Sequence, residues 1–200
     1  MSSARSNSAR ARPGYTLVEM LVGVGILSIA GTLLLPNLVD RGTFAIQAAA
    51  RAIVSDIVFA QSDALANQEY RRFQFIEMPE GEAGYRGYCL LRVSPESFSY
   101  PYDPGSADYV SDPLSSSGND GRYIIDFSAD ERFEGVLIES VDLDSGLDYT
   151  TFDEYGGSVS SSGGAPGIGG TIDLVSQGSR YRVTVSAFTA KTTVEVLSTP

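Results

Sequence analysis

The stretch that decides the fold is residues 15–35, YTLVEMLVGVGILSIAGTLLL. It carries a single charge, at Glu19. A helix needs roughly 20 apolar residues to cross a hydrocarbon core of about 30 Å, so the stretch predicts one membrane-spanning helix. A carboxylate inside such a span costs several kcal/mol unless it has a partner, which makes Glu19 a candidate functional residue.

The residues on either side of this stretch predict its orientation. Residues 1–14, MSSARSNSARARPG, contain three arginines and no acid. Basic residues before a span hold that end in the cytoplasm, so the rest of the chain is expected outside. A secretory signal peptide is an alternative, but its apolar core is only about 7 to 15 residues long. The one small-residue cleavage site, at 48–50, lies well beyond the apolar run. A simple membrane anchor is the other alternative, and it leaves Glu19 unexplained.

Residues 36–68 keep a helical pattern with a changed surface. Apolar residues recur at spacings of three and four, which is typical of an amphipathic helix packed on one face. The members of this stripe are Ile46, Ala50, Ile53, Ile57, Ala60 and Ala64. With a bend near Pro36 and Gly42, one helix from residue 15 to about residue 67 is predicted, with its second half on a sheet.

From residue 71 the apolar period changes to two, which indicates strands. They are predicted at 71–77, 86–93, 122–127, 135–141, 171–175, 180–188 and 192–197. Strands that follow one another without helices pair antiparallel, so the fold class is α+β, with a β-rich domain over 69–200. Two long loops, 100–121 and 156–170, have too little apolar content to pack firmly. The first is either a mobile surface loop or a partner-binding loop that displays Tyr100, Tyr102 and Tyr109.

The amino-acid composition excludes most catalytic mechanisms and most kinds of metal site. The chain of 200 residues has no His and one Cys, Cys89, which excludes His-based catalysis, His or Cys zinc sites and an internal disulfide. No enzyme activity and no cofactor are therefore expected. The acidic stretch with Asp142, Asp144 and Asp148 is only a weak candidate for calcium, because it lacks the acid that closes an EF-hand loop. A net charge of −11 argues against nucleic acid.

The run from Gly14 to Glu19, GYTLVE, resembles the class III signal of type IV pilins and type II secretion pseudopilins. The resemblance implies that prepilin peptidase removes the basic leader 1–14 between Gly14 and Tyr15 and then methylates the amine of Tyr15. Most members have Phe or Met where this chain has Tyr15. By the same resemblance, Glu19 pairs with the N-terminal amine of a neighbouring subunit during assembly, 15–35 is the membrane and filament-core helix, and Pro36 is the position of a helix bend.

The whole-chain pattern resembles the GspH/FimT group of minor pseudopilins. The points of resemblance are the run 48–75, FDEYGG at 152–157, GGTIDL at 169–174 and the closing pair 181–197. The resemblance implies a pilin-like fold and a structural subunit of the type II secretion pseudopilus, anchored once in the inner membrane with its C-terminal domain in the periplasm. Its partners would be prepilin peptidase and other pseudopilins.

Three alternatives stay open from the sequence. The first is a minor type IV pilus pilin that acts in pilus assembly or DNA uptake. The second is a membrane-anchored periplasmic protein of another function, an enzyme included, although no nucleophile motif such as G-x-S-x-G is present. The third is a DNA receptor, but the basic C-terminal motif of DNA-binding relatives is missing: Lys191 is isolated and Glu195 lies close to it. No nucleic acid partner is therefore expected.

Overall fold

The computed structural model describes residues 15–38, 41–113 and 120–197. The chain divides into two compact units, Met1–Asp40 and Arg41–Pro200. The first unit contains one helix, and the second contains one helix and the strands. The predicted leader, with Gly14, lies outside the described residues.

The elements follow one another in an order that separates helices from strands. The helices are α1 Leu17–Leu38 and α2 Arg41–Asn67, and a short 3-10 helix covers Glu131–Phe133. The strands are β1 Tyr70–Glu77, β2 Tyr85–Val93, β3 Ile124–Asp126, β4 Leu137–Leu143, β5 Tyr149–Phe152, β6 Ser158–Val159, β7 Gly169–Ser176, β8 Ser179–Ser186 and β9 Thr192–Leu197.

All these strands belong to one antiparallel sheet. Its order is β6-β5-β1-β2-β4-β7-β8-β9, and β3 pairs with β2 beside this path. The longest pairings join neighbours in sequence: β1 with β2 over eight residue pairs, and β7 with β8 over eight. The α+β, pilin-like class predicted from the sequence is therefore confirmed.

One face of α2 packs on this sheet. The predicted stripe is confirmed, because Ile46, Ala50, Ile53, Ile57, Ala60 and Ala64 are all at most 2% exposed. They meet aromatic side chains of the two central strands, among them Phe73 and Tyr88, whose rings stack with centroids 4.6 Å apart. Burial of this stripe, at roughly 25 cal/mol per Å² of apolar surface, supplies much of the driving force for folding the second unit.

By length and composition, one helix of the described residues could cross a membrane, and it is Gly42–Asn67, with a mean hydropathy of 1.4. One stripe of its apolar side chains faces the sheet, and 33% of its most apolar window is buried. Its hydropathy is therefore that of a core helix. The described apolar part of α1, Leu17–Gly31, is shorter than this length criterion but has no comparable buried face.

The predicted continuous helix is described as two helices. The first ends at Leu38 and the second begins at Arg41, and residues 39 and 40 lie outside the described part. Pro36 lies inside α1, two residues before its end. A bend at Pro36 therefore stays a prediction.

The loop 100–121 packs more than its composition predicts. In its described part, the hydroxyl groups of Tyr102 and Tyr109 are hydrogen-bonded at 3.0 Å. The two side chains cover a small apolar cluster of Ile76, Cys89 and Leu91 on the sheet face opposite α2. Of the three tyrosines proposed for display, only Tyr100 is strongly exposed. For the described part of the loop, the prediction that it does not pack firmly was wrong. The apolar content of the loop does not show that an apolar sheet face lies beneath it.

The glycine-rich loop 156–170 is likewise ordered by packing. It contains β6, and the buried hydroxyl of Ser158 lies 3.2 Å from that of Thr150 on β5. A Cβ at Gly167 would lie 2.1 Å from the Ser158 hydroxyl oxygen, so glycine is what lets the loop lie this close. The expectation that this loop does not pack firmly was wrong, because here glycine permits close contact.

The Asp144 carboxylate fixes the end of this loop. Its Oδ1 accepts hydrogen bonds from the backbone N–H groups of Ile168, at 2.7 Å, and Gly169, at 3.1 Å. Asp144 is 8% exposed, so these bonds form in a largely dry setting. The carboxylate thereby joins the turn after β4 to the start of β7.

We expect Asp144→Ala to lower the free energy of unfolding by about 1 to 3 kcal/mol, because two backbone N–H groups lose their acceptor. Asp144→Asn keeps one oxygen acceptor and should lose less. Asp142→Ala, at an exposed position on β4, is the matched control and should change stability by less than about 0.5 kcal/mol. Thermal unfolding of the full chain in detergent, followed by tyrosine circular dichroism, measures all three. Equal stability of Asp144→Ala and the control would contradict the anchoring role.

The sheet also corrects the list of predicted strands. All seven predicted strands are present: six have shifted ends, and the last, Thr192–Leu197, has the predicted bounds. The short strands β5 and β6 were missed. Four and two residues are too few for a period of two to show, and the pairing of β5 with β1 joins residues more than 70 positions apart.

Candidate functional site

Thr16 caps the N-terminal end of α1. Its hydroxyl oxygen accepts the backbone N–H of Glu19 at 3.2 Å, and its carbonyl accepts that of Met20, also at 3.2 Å. These are the bonds of a helix N-cap, and T-x-x-E is the sequence of a capping box. The helix therefore begins after Thr16, and Tyr15 lies outside it with its side chain 79% exposed.

Glu19 lies in the first turn of α1 and is exposed. The first turn is where a helix favours negative charge, because unpaired N–H groups and the helix dipole point there. The remaining described side chains of this helix around Glu19 are apolar. The position stabilises the carboxylate within its own helix and leaves its oxygens facing outward.

Over residues 17–31, the part of α1 whose side chains are described, the surface is apolar on every side apart from Glu19 and Ser28. The side chains that are more than half exposed are Leu17, Val18, Met20, Leu21, Val22, Val24, Ile26, Leu27 and Ile29. A helix that is apolar all round is stable only where lipid or other helices cover it. At about 1.5 Å per residue, its 22 residues span about 33 Å, close to the thickness of a hydrocarbon core.

Small residues leave room along this helix for a neighbour. A Cβ at Gly23, Gly25 or Gly31 would meet nothing within 4 Å. Small residues allow helices to approach closely in an apolar setting. The one described hydroxyl in the middle of the helix, that of Ser28, donates to the carbonyl of Val24 at 2.8 Å and so carries no unsatisfied donor.

The outer face of α2 carries a second apolar stripe that the sequence analysis missed. Phe44, Val58 and Leu65 are 71%, 51% and 56% exposed, and they lie on the side away from the sheet. The charged Arg51 lies between Phe44 and Val58 at the same seven-residue spacing. The signal was present in the sequence, but the stronger stripe that faces the sheet masked it.

The candidate calcium residues do not form a site. Among the described residues, no group of three His, Cys, Asp or Glu side chains is placed to hold a metal ion. Asp144 is committed to backbone N–H groups, and Asp142 is exposed on β4. Asp142, Asp144 and Asp148 are therefore close in sequence without converging in space.

Cys89 is fully buried in β2, as predicted. Burial raises the pKa of its thiol to about 12. A thiol with that pKa is protonated at neutral pH and is a poor nucleophile or metal ligand. The residue serves as a small apolar side chain beneath the tyrosine-bearing loop.

Basic side chains on the sheet are mostly paired with acids. Among the described residues, Arg182 makes a bidentate contact with Asp173, at 2.7 and 2.8 Å, and Arg180 lies 2.5 Å from Glu139. Ion pairs also hold Arg71, Arg86, Arg92 and Arg132. Paired arginines present little net positive charge, and the absence of a nucleic acid partner stays a prediction.

Comparison with known proteins gives one match. The family model described as the prokaryotic N-terminal methylation motif matches residues 9–35. No curated protein and no solved structure matches the chain.

The matched range contains Gly14, Tyr15, Thr16 and Glu19 and covers most of α1. A motif of this kind implies processing by prepilin peptidase and assembly with other pilins. Together with the apolar helix it is consistent with membrane anchoring, and it suggests a structural subunit rather than an enzyme. The motif and the α+β architecture support a type IV pilin-like or pseudopilin protein.

Proposed function

We propose that this chain is a minor pseudopilin, a structural subunit of the type II secretion pseudopilus. The observation that carries the proposal is an apolar helix within the methylation motif, uncovered on every side, with one acid in its first turn. Such a helix is suited to storage in the inner membrane and to transfer into a bundle of like helices. The sheet unit would then lie in the periplasm.

Processing would occur between Gly14 and Tyr15. Cleavage creates an amine at Tyr15, one residue before the N-cap of α1. A positive amine at this end is opposed by the helix dipole, so it gains from a nearby carboxylate. Methylation would then act on the same nitrogen.

Glu19 would supply that carboxylate to a neighbouring subunit. In an apolar bundle both charges are costly when unpaired, and a shift of one residue along the helix would separate them. The pair would therefore fix the axial stagger between subunits. Gly23, Gly25 and Gly31 support close packing along the same helix, since nothing in the structure fills the space beside them.

The outer stripe of α2 supports assembly beyond the membrane segment. Its exposed Phe44, Val58 and Leu65 would bury apolar surface against a neighbouring subunit. The other face of α2 is already occupied by the sheet. The proposed subunit would thus use both helices for assembly and its sheet for display.

Processing is tested by intact and N-terminal peptide mass spectrometry of the protein from its native membrane. We expect a chain that begins at N-methylated Tyr15, and we expect Gly14→Ala to retain the 14-residue leader. Gly23→Ala, a glycine inside the helix, is the control and should be processed normally. A wild-type chain that begins at Met1 or Ser2, or that is cut near Ala50, would refute the proposed function.

Assembly is tested by Glu19→Gln, which removes the charge and keeps the shape of the side chain. We expect normal cleavage but at least a tenfold lower amount in pseudopili, because breaking a buried ion pair costs about 3 to 5 kcal/mol. Glu96→Gln, at an exposed position of the sheet unit, is the control. The readout is the fraction cross-linked to sibling subunits. Wild-type incorporation of Glu19→Gln would remove the pairing role.

A minor type IV pilin is the alternative within the same class. Deletion of the gene for this protein distinguishes the secretion pseudopilus from the type IV pilus, because each filament needs its own minor subunits to begin assembly. We expect the deletion to reduce release of secreted proteins while surface pili stay at wild-type numbers, and the wild-type chain should restore secretion. Loss of pili with normal secretion would favour the alternative.

A further inference from the structure

The two edges of the sheet differ in how they are protected. At one edge, β6 has two residues, and Val159 forms an isolated bridge with Pro166. At the other edge, β9 pairs with β8 over six residue pairs without a register shift. Proteins usually protect a sheet edge with a short strand, a proline or a bulge, and of the two edges only that of β6 has such features. Across the described residues, β9 is therefore a long, regular strand with one open side.

The open side of β9 presents backbone groups that can bond to another strand. The carbonyl of Lys191, just before β9, accepts the N–H of Ser186 on β8 at 2.9 Å. Because the bonding groups of an antiparallel strand point alternately to its two sides, those of the next residue point away from β8. In steps of two from there, the N–H and C=O groups that face the open side belong to Thr192, Val194 and Val196.

Two apolar rows cross the sheet on the face that packs on α2, and both end at β9. The rows are Ile172, Val183 and Val194, and Leu174, Tyr181 and Val196. The members on β7 and β8 are buried in the core beneath α2, whereas Val194 and Val196 are 44% and 67% exposed. An added strand with apolar side chains at these two positions would continue both rows.

On the other face of the sheet, a row of charges alternates in sign and also ends at β9. Asp173 on β7, Arg182 on β8 and Glu195 on β9 are direct cross-strand neighbours. The guanidinium of Arg182 already makes its bidentate contact with Asp173, whereas Glu195 is exposed. A cation on an added strand would lie opposite Glu195 and continue the alternation.

We propose that β9 is a docking edge, to which an extended segment of a partner protein adds as a further strand of the sheet. The segment has a basic residue opposite Glu195, and apolar, β-branched residues on each side of it, opposite Val194 and Val196. Backbone hydrogen bonds hold the strand, and the side-chain pattern selects it. This inference goes beyond the proposed function, which assigns no binding site to the sheet.

A second copy of the chain fits this edge less well than a different partner. In an antiparallel pair of two β9 strands, a cation meets Glu195 when Lys191 lies opposite it. That register places Ala190 opposite Val196. Ala190 is buried and has a φ of 46°, so the extended pairing ends before it and leaves Val196 uncovered. The apolar rows and the charge row are therefore satisfied together by a partner of different sequence.

The probe for this edge is a fluorescein-labelled peptide, Ser-Thr-Val-Lys-Val-Thr-Ser, titrated with the full chain in detergent and followed by fluorescence anisotropy. We expect saturable binding, and about three- to tenfold weaker binding when glutamate replaces the lysine of the peptide, because like charges then lie opposite each other. Glu195→Lys should reverse the preference between the two peptides. Glu80→Lys makes the same charge change in the exposed turn after β1 and should leave the preference unchanged.

A backbone variant tests strand addition separately from charge. Val194→Pro removes an N–H that faces the open side, and should weaken binding of the lysine peptide by about fivefold or more. The pairing of β9 with β8 does not use this N–H, so thermal unfolding of the variant checks that the sheet is intact. Val194→Ile keeps the N–H and a β-branched side chain, and is the matched control.

Three results would overturn the inference: no saturable binding of the lysine peptide, equal binding of the two peptides, or full binding by a folded Val194→Pro chain. Thr193→Cys tests the second copy, because residue 193 meets its own equivalent in the register that places Lys191 opposite Glu195. We expect no disulfide-linked dimer of this variant in membranes, and the native Cys89 is buried and does not interfere. A dimer would show that a second copy occupies the edge, and would overturn the assignment of a different partner.

Discussion

The constraint on which the rest of the structure depends is that α1 has an apolar surface on every side. At roughly 25 cal/mol per Å², water contact along a helix of 22 residues is too costly for a stable soluble state. The helix must be covered by lipid or by other helices. Its single carboxylate, Glu19, lies in the first turn, where the helix dipole favours negative charge.

The two faces of the second helix differ in burial. Its inner face is buried on the sheet at Ile46, Ile53 and Ile57, and its outer face exposes Phe44, Val58 and Leu65. Because it has apolar residues on both faces, this helix has the mean hydropathy of a membrane span, although its inner stripe is buried in the core. Burial, not mean hydropathy, therefore distinguishes the role of α2 from that of α1.

The sheet unit is held together where its sequence is least typical of a core. Loop segments rich in tyrosine, glycine and serine cover one sheet face and supply β6, and the Asp144 carboxylate joins two strands through backbone N–H groups. These contacts consist of hydrogen bonds and close backbone packing, and not of buried apolar side chains. A comparison of apolar content along the chain cannot detect them.

The sequence by itself determined the apolar helix, the position of Glu19, the stripe on α2 and the antiparallel strands, because each depends on a local period or on one charge in an apolar run. Only the tertiary structure decided the short strands β5 and β6, the packing of Tyr102 and Tyr109 on the sheet, the separation of the three candidate calcium ligands and the use of Asp144 as a backbone anchor. Those features arise from residues far apart in sequence that meet across the sheet. Their physical cause is the complementarity of particular surfaces, which no local pattern contains.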